Sequence, residues 1–174
     1  MADVRSVPYS RLHPHFNKAT LAKLLKEQLI AYGFIGKELG GRSDDPACYE
    51  NGRVQYRRLS RTDLFRNGIN RIIDGSYDNR IALMCAEREP LECHRAILVG
   101  RELSASGVQV AHILADGHIE LHDQALDRLR HLLRLPVRDL FRSDSEVLEE
   151  AYSRQENRIA FVNKDLPRSA PPTS

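Results

Sequence analysis

Apolar and polar positions change along the chain in blocks that predict strands and helices in turn. Short apolar runs that end at proline, glycine or charged residues predict strands, and apolar residues spaced three or four apart predict helices. The predicted strands are Ala2–Val7, Phe34–Leu39, Arg80–Cys85, Val108–Leu114 and Arg158–Asn163. The predicted helices are Thr20–Gln28, residues 60–74, Cys93–Ser104, Leu121–Leu133 and Ser143–Asn157, with Ser143 as N-cap. This alternation predicts an α/β fold with a mostly parallel sheet that has helices on both faces.

Length and composition limit the number of domains and the environment of the protein. With 174 residues and 41% hydrophobic content, the chain is expected to form a single α/β domain over residues 1–165, followed by a disordered tail at 166–174. No apolar run is long enough to span a membrane and no secretory signal is recognisable, so we expect a cytoplasmic protein without a membrane partner. Cys48, Cys85 and Cys93 are then expected to be free thiols.

The basic residues are mostly arginine, which accounts for 21 of the 26. Its guanidinium group suits recognition of phosphate and carboxylate. One cluster carries a single acidic residue and favours a nucleic-acid footprint, whereas the other is interleaved with acidic residues and favours a solvated helix face. The first consists of Arg53, Arg57, Arg58, Arg61, Arg66 and Arg71, and the second of Arg128, Arg130, Arg134, Arg138 and Arg142.

The stretch from Leu83 to Arg95 carries the candidate chemistry. Cys85 ends a predicted strand, Glu87 lies in the following loop, and Cys93 and His94 begin the next helix. Ligand sites of parallel sheets lie at this carboxyl end of the strands, and a helix start with neighbouring basic groups lowers the pKa of a thiol. We therefore predict Cys85 or Cys93 as nucleophile, Glu87 as acid or base, and His94 or His112 as an assisting group.

Side chains after the first predicted strand are expected to hold an anion near this loop. They are joined by Arg95, which follows His94, and the predicted anion-binding residues are Arg5, Ser6, Ser10, Arg11 and Arg95. The resulting hypothesis is an enzyme that uses thiol or acid-base chemistry on a nucleotide, a nucleic acid or another anionic substrate. The partner is accordingly an anionic small molecule or a nucleic acid.

Two alternatives stay open at this point. The chain could be a non-catalytic nucleic-acid-binding or accessory module whose cysteines are structural. No cofactor is predicted, but zinc is an alternative, with Cys85, Cys93, His94 and His112 as its ligands, although the short CxxC pairs typical of structural zinc are missing.

Several motifs resemble one known family, the domain of unknown function 488 proteins. They are Asp3-Val4-Arg5-Ser6, His15-Phe16-Asn17, Leu39-Gly40-Gly41, Leu83-Met84-Cys85-Ala86-Glu87, Cys93-His94-Arg95, His112-Ile113, Glu149-Glu150-Ala151-Tyr152 and Arg158-Ile159-Ala160. The resemblance covers about residues 2–163. It implies a Rossmann-like α/β fold and a suspected enzyme with paired cysteines, and no general substrate.

One departure from that family concerns the first residues. Members usually have a strand and a helix, with a Thr-Ile-Gly-His-Ser-like segment, before the strand that this chain begins with at Ala2-Asp3-Val4-Arg5. We therefore expect an exposed sheet edge, and a homodimer formed through it.

Overall fold

The computed structural model describes residues 1–136 and 139–166. A three-stranded parallel sheet lies at its centre, formed by β1 (Ala2–Asp3), β2 (Gly33–Phe34) and β5 (Leu83–Met84). Strand β1 is the middle one, with Ala2 opposite both Gly33 and Leu83. The edges of this sheet are therefore β2 and β5, and β1 is paired on both sides.

Helices surround this sheet and two short antiparallel hairpins extend from it. The α-helices are α1 (Lys18–Glu27), α2 (Gly36–Leu39), α3 (Tyr56–Leu59), α4 (Asp63–Asp78), α5 (Arg101–Ala105), α6 (His122–Leu132) and α7 (Asp144–Ile159). A π-helix spans Arg95–Gly100, and 3₁₀ turns span Pro14–Phe16, Pro46–Cys48 and Pro90–Glu92. The hairpins are β3 (Tyr49–Glu50) with β4 (Arg53–Val54), and β6 (Ala111–Ile113) with β7 (Ile119–Leu121). None of these described helices has both the length and the apolar character needed to cross a membrane.

Local sequence explains where the two longest helices begin. Thr62 caps α4, since its hydroxyl accepts a hydrogen bond from the Phe65 amide at 3.2 Å. The predicted N-cap Ser143 is confirmed: it forms a capping box with Glu146 at the start of α7. The buried apolar side chains form one cluster that reaches from β1 to Ala160, just after α7. A single domain over residues 1–165 stays a prediction, and residues 167–174 of the predicted tail lie outside the described residues.

The prediction for Val108–Leu114 was wrong about the strands with which this segment pairs. It forms the β6–β7 hairpin rather than a buried strand of the parallel sheet. His112 is buried while Ile113 is 61% exposed, so only one face of the hairpin is covered. The turn includes Gly117 at φ +89°, a left-handed conformation that favours glycine.

Three further segments differ from their predictions. Residues 34–39 leave the sheet after Phe34 and form α2, and α7 continues to Ile159, where a late strand was predicted. Residues 49–54, for which no strand was predicted, form the β3–β4 hairpin. Its two-residue turn, Asn51-Gly52, has positive φ at both positions, which is the preferred hairpin turn chemistry. The described residues thus form an α/β arrangement with a small parallel sheet, and the larger Rossmann-like sheet stays a prediction.

The backbone approaches itself closely where β1 meets α2. A Cβ atom on Gly36 would lie 2.0 Å from the carbonyl oxygen of Arg5, whereas one on Gly33 would meet nothing within 4 Å. We therefore expect Gly36→Ala to lower the free energy of unfolding by about 1–3 kcal/mol through steric overlap. Gly33→Ala is the matched control, with a change below about 1 kcal/mol. Chemical denaturation compares the two, and equal effects would contradict this account of the α2 contact.

Candidate active site

The strand β5, a short loop and the following helix bring four reactive side chains together. Cys85 directly follows β5, and Glu87 lies in the exposed loop after it. The chain then turns through Pro90–Glu92, where the Glu89 side chain accepts a hydrogen bond from the Leu91 amide. That turn delivers Cys93, which is 1% exposed, and His94 to the start of the next helix.

The carboxylate of Glu87 lies between the two thiols. Its Oε2 accepts hydrogen bonds from Cys85 Sγ at 2.8 Å and from Cys93 Sγ at 3.1 Å. His94 Nδ1 lies 3.7 Å from Cys85 Sγ and 3.9 Å from Cys93 Sγ. The structure therefore brings together four of the five residues that the sequence predicted as catalytic.

The backbone of β1 and of the loop after α2 orients the ring of His94. Its Nε2 lies 3.2 Å from the carbonyl oxygen of Val4. A carbonyl oxygen only accepts, so Nε2 carries the proton of this hydrogen bond, and Nδ1 is left to face the thiols as an acceptor. Gly41 lies against the other side of the ring, where a Cβ atom would be 3.0 Å from His94 Cγ.

Hydrogen bonding and burial separate the acidities of the two thiols. The hydrogen bond with Cys93, together with His94, lowers the pKa of Cys85 to about 6 against the opposing effect of burial. The same contact with Cys85, and burial, raise the pKa of Cys93 far above the ordinary thiol range. Burial raises the pKa of Glu87, but the hydrogen bonds from both thiols outweigh this effect and lower it. Cys85 is thus the acidic thiol and Cys93 keeps its proton.

A cavity of about 210 Å³ opens beside Cys85, Glu87 and His94. One wall comes from the chain after β1, where Ser6 and Val7 line it. Arg42 and Phe161 also line the cavity, and the ring of Phe161 lies 4.3 Å from the Arg42 guanidinium carbon in a cation–π contact. Cys93 does not line the cavity, and the reachable thiol is therefore that of Cys85.

Comparison with known protein families assigns the chain to one of them. A family model described as "Domain of unknown function DUF488" matches residues 1–101. The chain belongs to the DUF488 family. Comparisons with curated proteins and with solved structures found no match. The DUF488 match includes the whole Cys85 to His94 segment, whereas His112 and Phe161 lie beyond it.

Arg5 lines the cavity, but its guanidinium is already paired. It donates to Asp3 from Nε at 2.9 Å and from Nη2 at 2.6 Å, and Nη2 also contacts the carbonyl oxygen of Phe16 at 2.8 Å. Tyr32 donates to the same Asp3 carboxylate at 2.7 Å. Both members of the Asp3–Arg5 pair are buried. This ion pair organises the end of β1, and the predicted role of Arg5 in anion binding stays a prediction.

The other predicted anion-binding residues divide between the cavity and positions away from it. Ser6 lines the cavity, and its Oγ accepts the Arg42 backbone N–H at 3.2 Å. Ser10 accepts the His13 amide in an outer loop, and Arg11 beside it is exposed. Arg95 donates to the carbonyl oxygen of Arg88 at 3.2 Å. Ser10, Arg11 and Arg95 do not line the cavity.

Arg42 is a site residue that sequence reasoning missed. It is exposed, it lines the cavity, and no acidic partner of its guanidinium is found among residues 1–136 and 139–166. The signal available in the sequence was its position directly after the Gly40-Gly41 pair of the family motif.

Many arginines of the two clusters serve contacts within the protein. In the first cluster, Arg58 donates to the Tyr49 carbonyl at 3.0 Å and pairs with Glu50. In the second, Arg128 pairs with both Glu89 and Glu120 at 2.8 Å. Further pairs join Arg71 to Glu38, Arg130 to Asp144, and Arg142 to Asp139 and Glu150. Arg138 lies outside the described residues.

Cys85 and three neighbouring side chains also form a set that could hold a metal ion. The donor atoms of Cys85, Glu87, Cys93 and His94 all lie within 4.8 Å of one another. Two thiolates, an imidazole and a carboxylate are donors that zinc accepts. His112, the other predicted ligand, is not part of this set.

His112 belongs to a separate buried chain of hydrogen bonds. Its Nε2 lies 2.9 Å from His122 Nδ1, and His122 Nε2 lies 3.0 Å from the hydroxyl of Tyr152. These contacts join β6 to α6 and α7. His112 lies in β6 of the outer hairpin, and its role in assisting the thiols stays a prediction.

Burial, with the neighbouring His122, lowers the pKa of His112 to about 4. A histidine with a lowered pKa stabilises the fold fully above its unfolded pKa, about 6.5, and this stability is lost as pH falls towards 4. We expect the free energy of unfolding to decrease over this range by at most about 3 kcal/mol from His112. Denaturation at several pH values measures it, with His112→Asn flattening the dependence.

The exposed His131 offers the matched control, because His131→Asn removes a histidine that is not buried. The profile of His131→Asn should follow that of the unaltered protein. A flat profile for the unaltered protein between pH 6.5 and 4.5 would contradict the burial of a neutral His112.

Proposed function

We propose that this protein is a thiol-dependent enzyme in which Cys85 attacks an electrophilic atom of a small anionic substrate. The observation that carries the proposal is the pairing of Cys85 with His94 at the edge of the cavity. A nucleophile, a base within reach and a third group that orients the base are the features of nucleophilic catalysis. Here these features are Cys85 Sγ, His94 Nδ1 and the Val4 carbonyl oxygen.

The proton of the Cys85 thiol moves to His94 Nδ1 as the nucleophile forms. Sγ then bonds to the electrophilic atom of the substrate, and the bond from that atom to its leaving group breaks. The leaving group takes the proton back from His94, which acts first as a general base and then as a general acid. Water or a second substrate afterwards displaces Cys85 from the intermediate.

Glu87 and Cys93 support this chemistry without being the nucleophile. Cys93 is buried and keeps its proton, so it donates a hydrogen bond to Glu87 while Cys85 reacts. The Glu87 carboxylate accepts hydrogen bonds from both sulfur atoms, and its hydrogen bond with Cys85 opposes ionisation of that thiol. We assign the proton transfer to His94 because a carboxylate with a lowered pKa is a weak base.

Reaction with iodoacetamide tests the nucleophile without knowledge of the substrate. In the native protein at neutral pH, Cys85 should be alkylated first, because Cys48 and Cys93 are buried. Peptide mapping by mass spectrometry identifies the labelled cysteine. Cys85→Ser should remove the rapid label, and Cys48→Ser should leave it in place. Rapid labelling of Cys93 with Cys85 untouched would overturn the assignment.

We infer that Arg42 and Ser6 bind the anionic part of the substrate. Arg42 presents its guanidinium on the cavity wall, held over Phe161, and the described part of the chain offers it no acidic partner. Guanidinium groups bind phosphate and carboxylate. The cavity of about 210 Å³ is smaller than the roughly 300–1,000 Å³ of typical ligand pockets. A small anion, or the terminal anionic group of a larger molecule such as a nucleotide, matches this space.

Inorganic phosphate serves as a probe of the anion site. Bound phosphate should slow the alkylation of Cys85 in a saturable manner, since it would occupy the cavity beside the thiol. Arg42→Gln should weaken this protection about tenfold, the loss of a charge-assisted hydrogen bond. Arg57→Gln, at an exposed arginine that does not line the cavity, is the control. Equal protection in both variants would remove Arg42 from the site.

A second candidate is a metal site, favoured by the four donor atoms within 4.8 Å. Zinc bound by Cys85, Glu87, Cys93 and His94 would act as a structural ion or a Lewis acid. Elemental analysis of the purified protein separates the candidates. Stoichiometric zinc together with slow alkylation of Cys85 would favour the metal site over the free thiol.

A further inference from the structure

We propose that Cys93 is the resolving thiol of Cys85, so that oxidation by a hydroperoxide converts the pair into a reversible disulfide. This inference rests on the proposed function in one respect, the nucleophilic character of Cys85. It adds a modification site and assigns Cys93 a chemical role. The co-reactant is hydrogen peroxide or an organic hydroperoxide.

Access divides the two thiols into a reacting and a protected one. Cys85 is half-buried and lines the cavity, so an oxidant as small as hydrogen peroxide reaches it. Cys93 is 1% exposed and does not line the cavity. Oxidation therefore begins at Cys85 and not at Cys93.

The two sulfur atoms are already on the same side of the site. Both donate to the same oxygen atom, Glu87 Oε2, and they lie within 4.8 Å of each other. A disulfide requires a separation of about 2.05 Å, so one side chain must move towards the other.

The surrounding chain determines which side moves. The carbonyl oxygen of Cys93 accepts hydrogen bonds from the amides of Ala96 and Ile97, which fixes Cys93 at the start of its helix. Residues 86–88, next to Cys85, are exposed loop. We therefore expect Cys85 and its loop to move towards Cys93, while the helix that begins after Cys93 keeps its position.

The proposed reaction is balanced in two steps. The Cys85 thiolate attacks one peroxide oxygen, the O–O bond breaks, and Cys85 sulfenic acid and hydroxide form. Cys93 then loses its proton and attacks Cys85 Sγ, the S–O bond breaks, and water leaves as the disulfide forms. The sulfur pair loses two electrons and the peroxide gains them. A dithiol reductant reverses the change by thiol–disulfide exchange.

Oxidation of the reduced protein with one equivalent of hydrogen peroxide tests the inference. The expected product is a Cys85–Cys93 cross-linked peptide in a protein that has lost two hydrogen atoms, and dithiothreitol should restore the original mass. Cys48→Ser should give the same product, because Cys48 belongs to the separate Pro46–Cys48 turn.

Replacement of Cys93 should stop the reaction at its first stage. In Cys93→Ser, dimedone should trap Cys85 sulfenic acid at a level about tenfold above that in the unaltered protein. Cys93→Ala serves as a second variant if the serine is not tolerated in the buried position. The time course of the unaltered protein provides a test without any substitution, since the sulfenic acid should precede the cross-link.

The outcomes separate this inference from the proposed function. Rapid alkylation of Cys85 combined with accumulation of sulfenic or sulfinic acid, and no cross-link to Cys93, overturns the resolving role alone. Absence of rapid alkylation at Cys85 overturns the nucleophile and the inference that depends on it. A cross-link that includes Cys48 also contradicts the proposed pairing.

Discussion

The hydrogen bond between His94 and the Val4 carbonyl oxygen links the sheet to the chemistry of the site. Val4 follows the central strand, and its amide donates to Met84 of the neighbouring strand. The buried Asp3–Arg5 pair orders the same segment. Removing one partner of a buried ion pair leaves an uncompensated charge, which makes this segment costly to disturb. The position of His94 Nδ1 relative to Cys85 therefore depends on how β1 is fixed between β2 and β5.

Two kinds of close approach complete this arrangement. Glycine at position 36 lets the backbone of α2 contact the carbonyl oxygen after β1, and glycine at position 41 lets a loop contact the His94 ring. The segment after β1, which lies near both of these glycines, forms one wall of the cavity. The Glu87 carboxylate then holds the two thiols in different environments, Cys85 beside the cavity and Cys93 buried. The two cysteines joined by this short loop therefore differ in acidity, since the pKa of the Cys85 thiol is lowered and that of the Cys93 thiol is raised.

The sequence predicted those features that depend on local order along the chain. The strands at β1 and β5 and the cluster from Cys85 to His94 were predicted, because a strand, a loop and a helix follow one another directly. The Asn51-Gly52 hairpin was missed although its turn signal was present. The contact of Arg42 with Phe161 was not predictable, since it joins distant segments through tertiary packing. The hairpin that carries His112 was predicted as a strand of the parallel sheet, because its partner strand follows only after a turn that was not identified from the sequence.

Under the proposed function, Cys93 and His94 make Cys85 an acidic nucleophile while Glu87 opposes its ionisation. The most direct measurement is the rate of alkylation of Cys85 as a function of pH in the unaltered protein, His94→Gln and Glu87→Gln. We expect a midpoint near pH 6 for the unaltered protein, a higher midpoint for His94→Gln, closer to the ordinary thiol value of about 8.5, and a lower midpoint for Glu87→Gln. A midpoint near the ordinary thiol value in all three proteins would contradict this expectation.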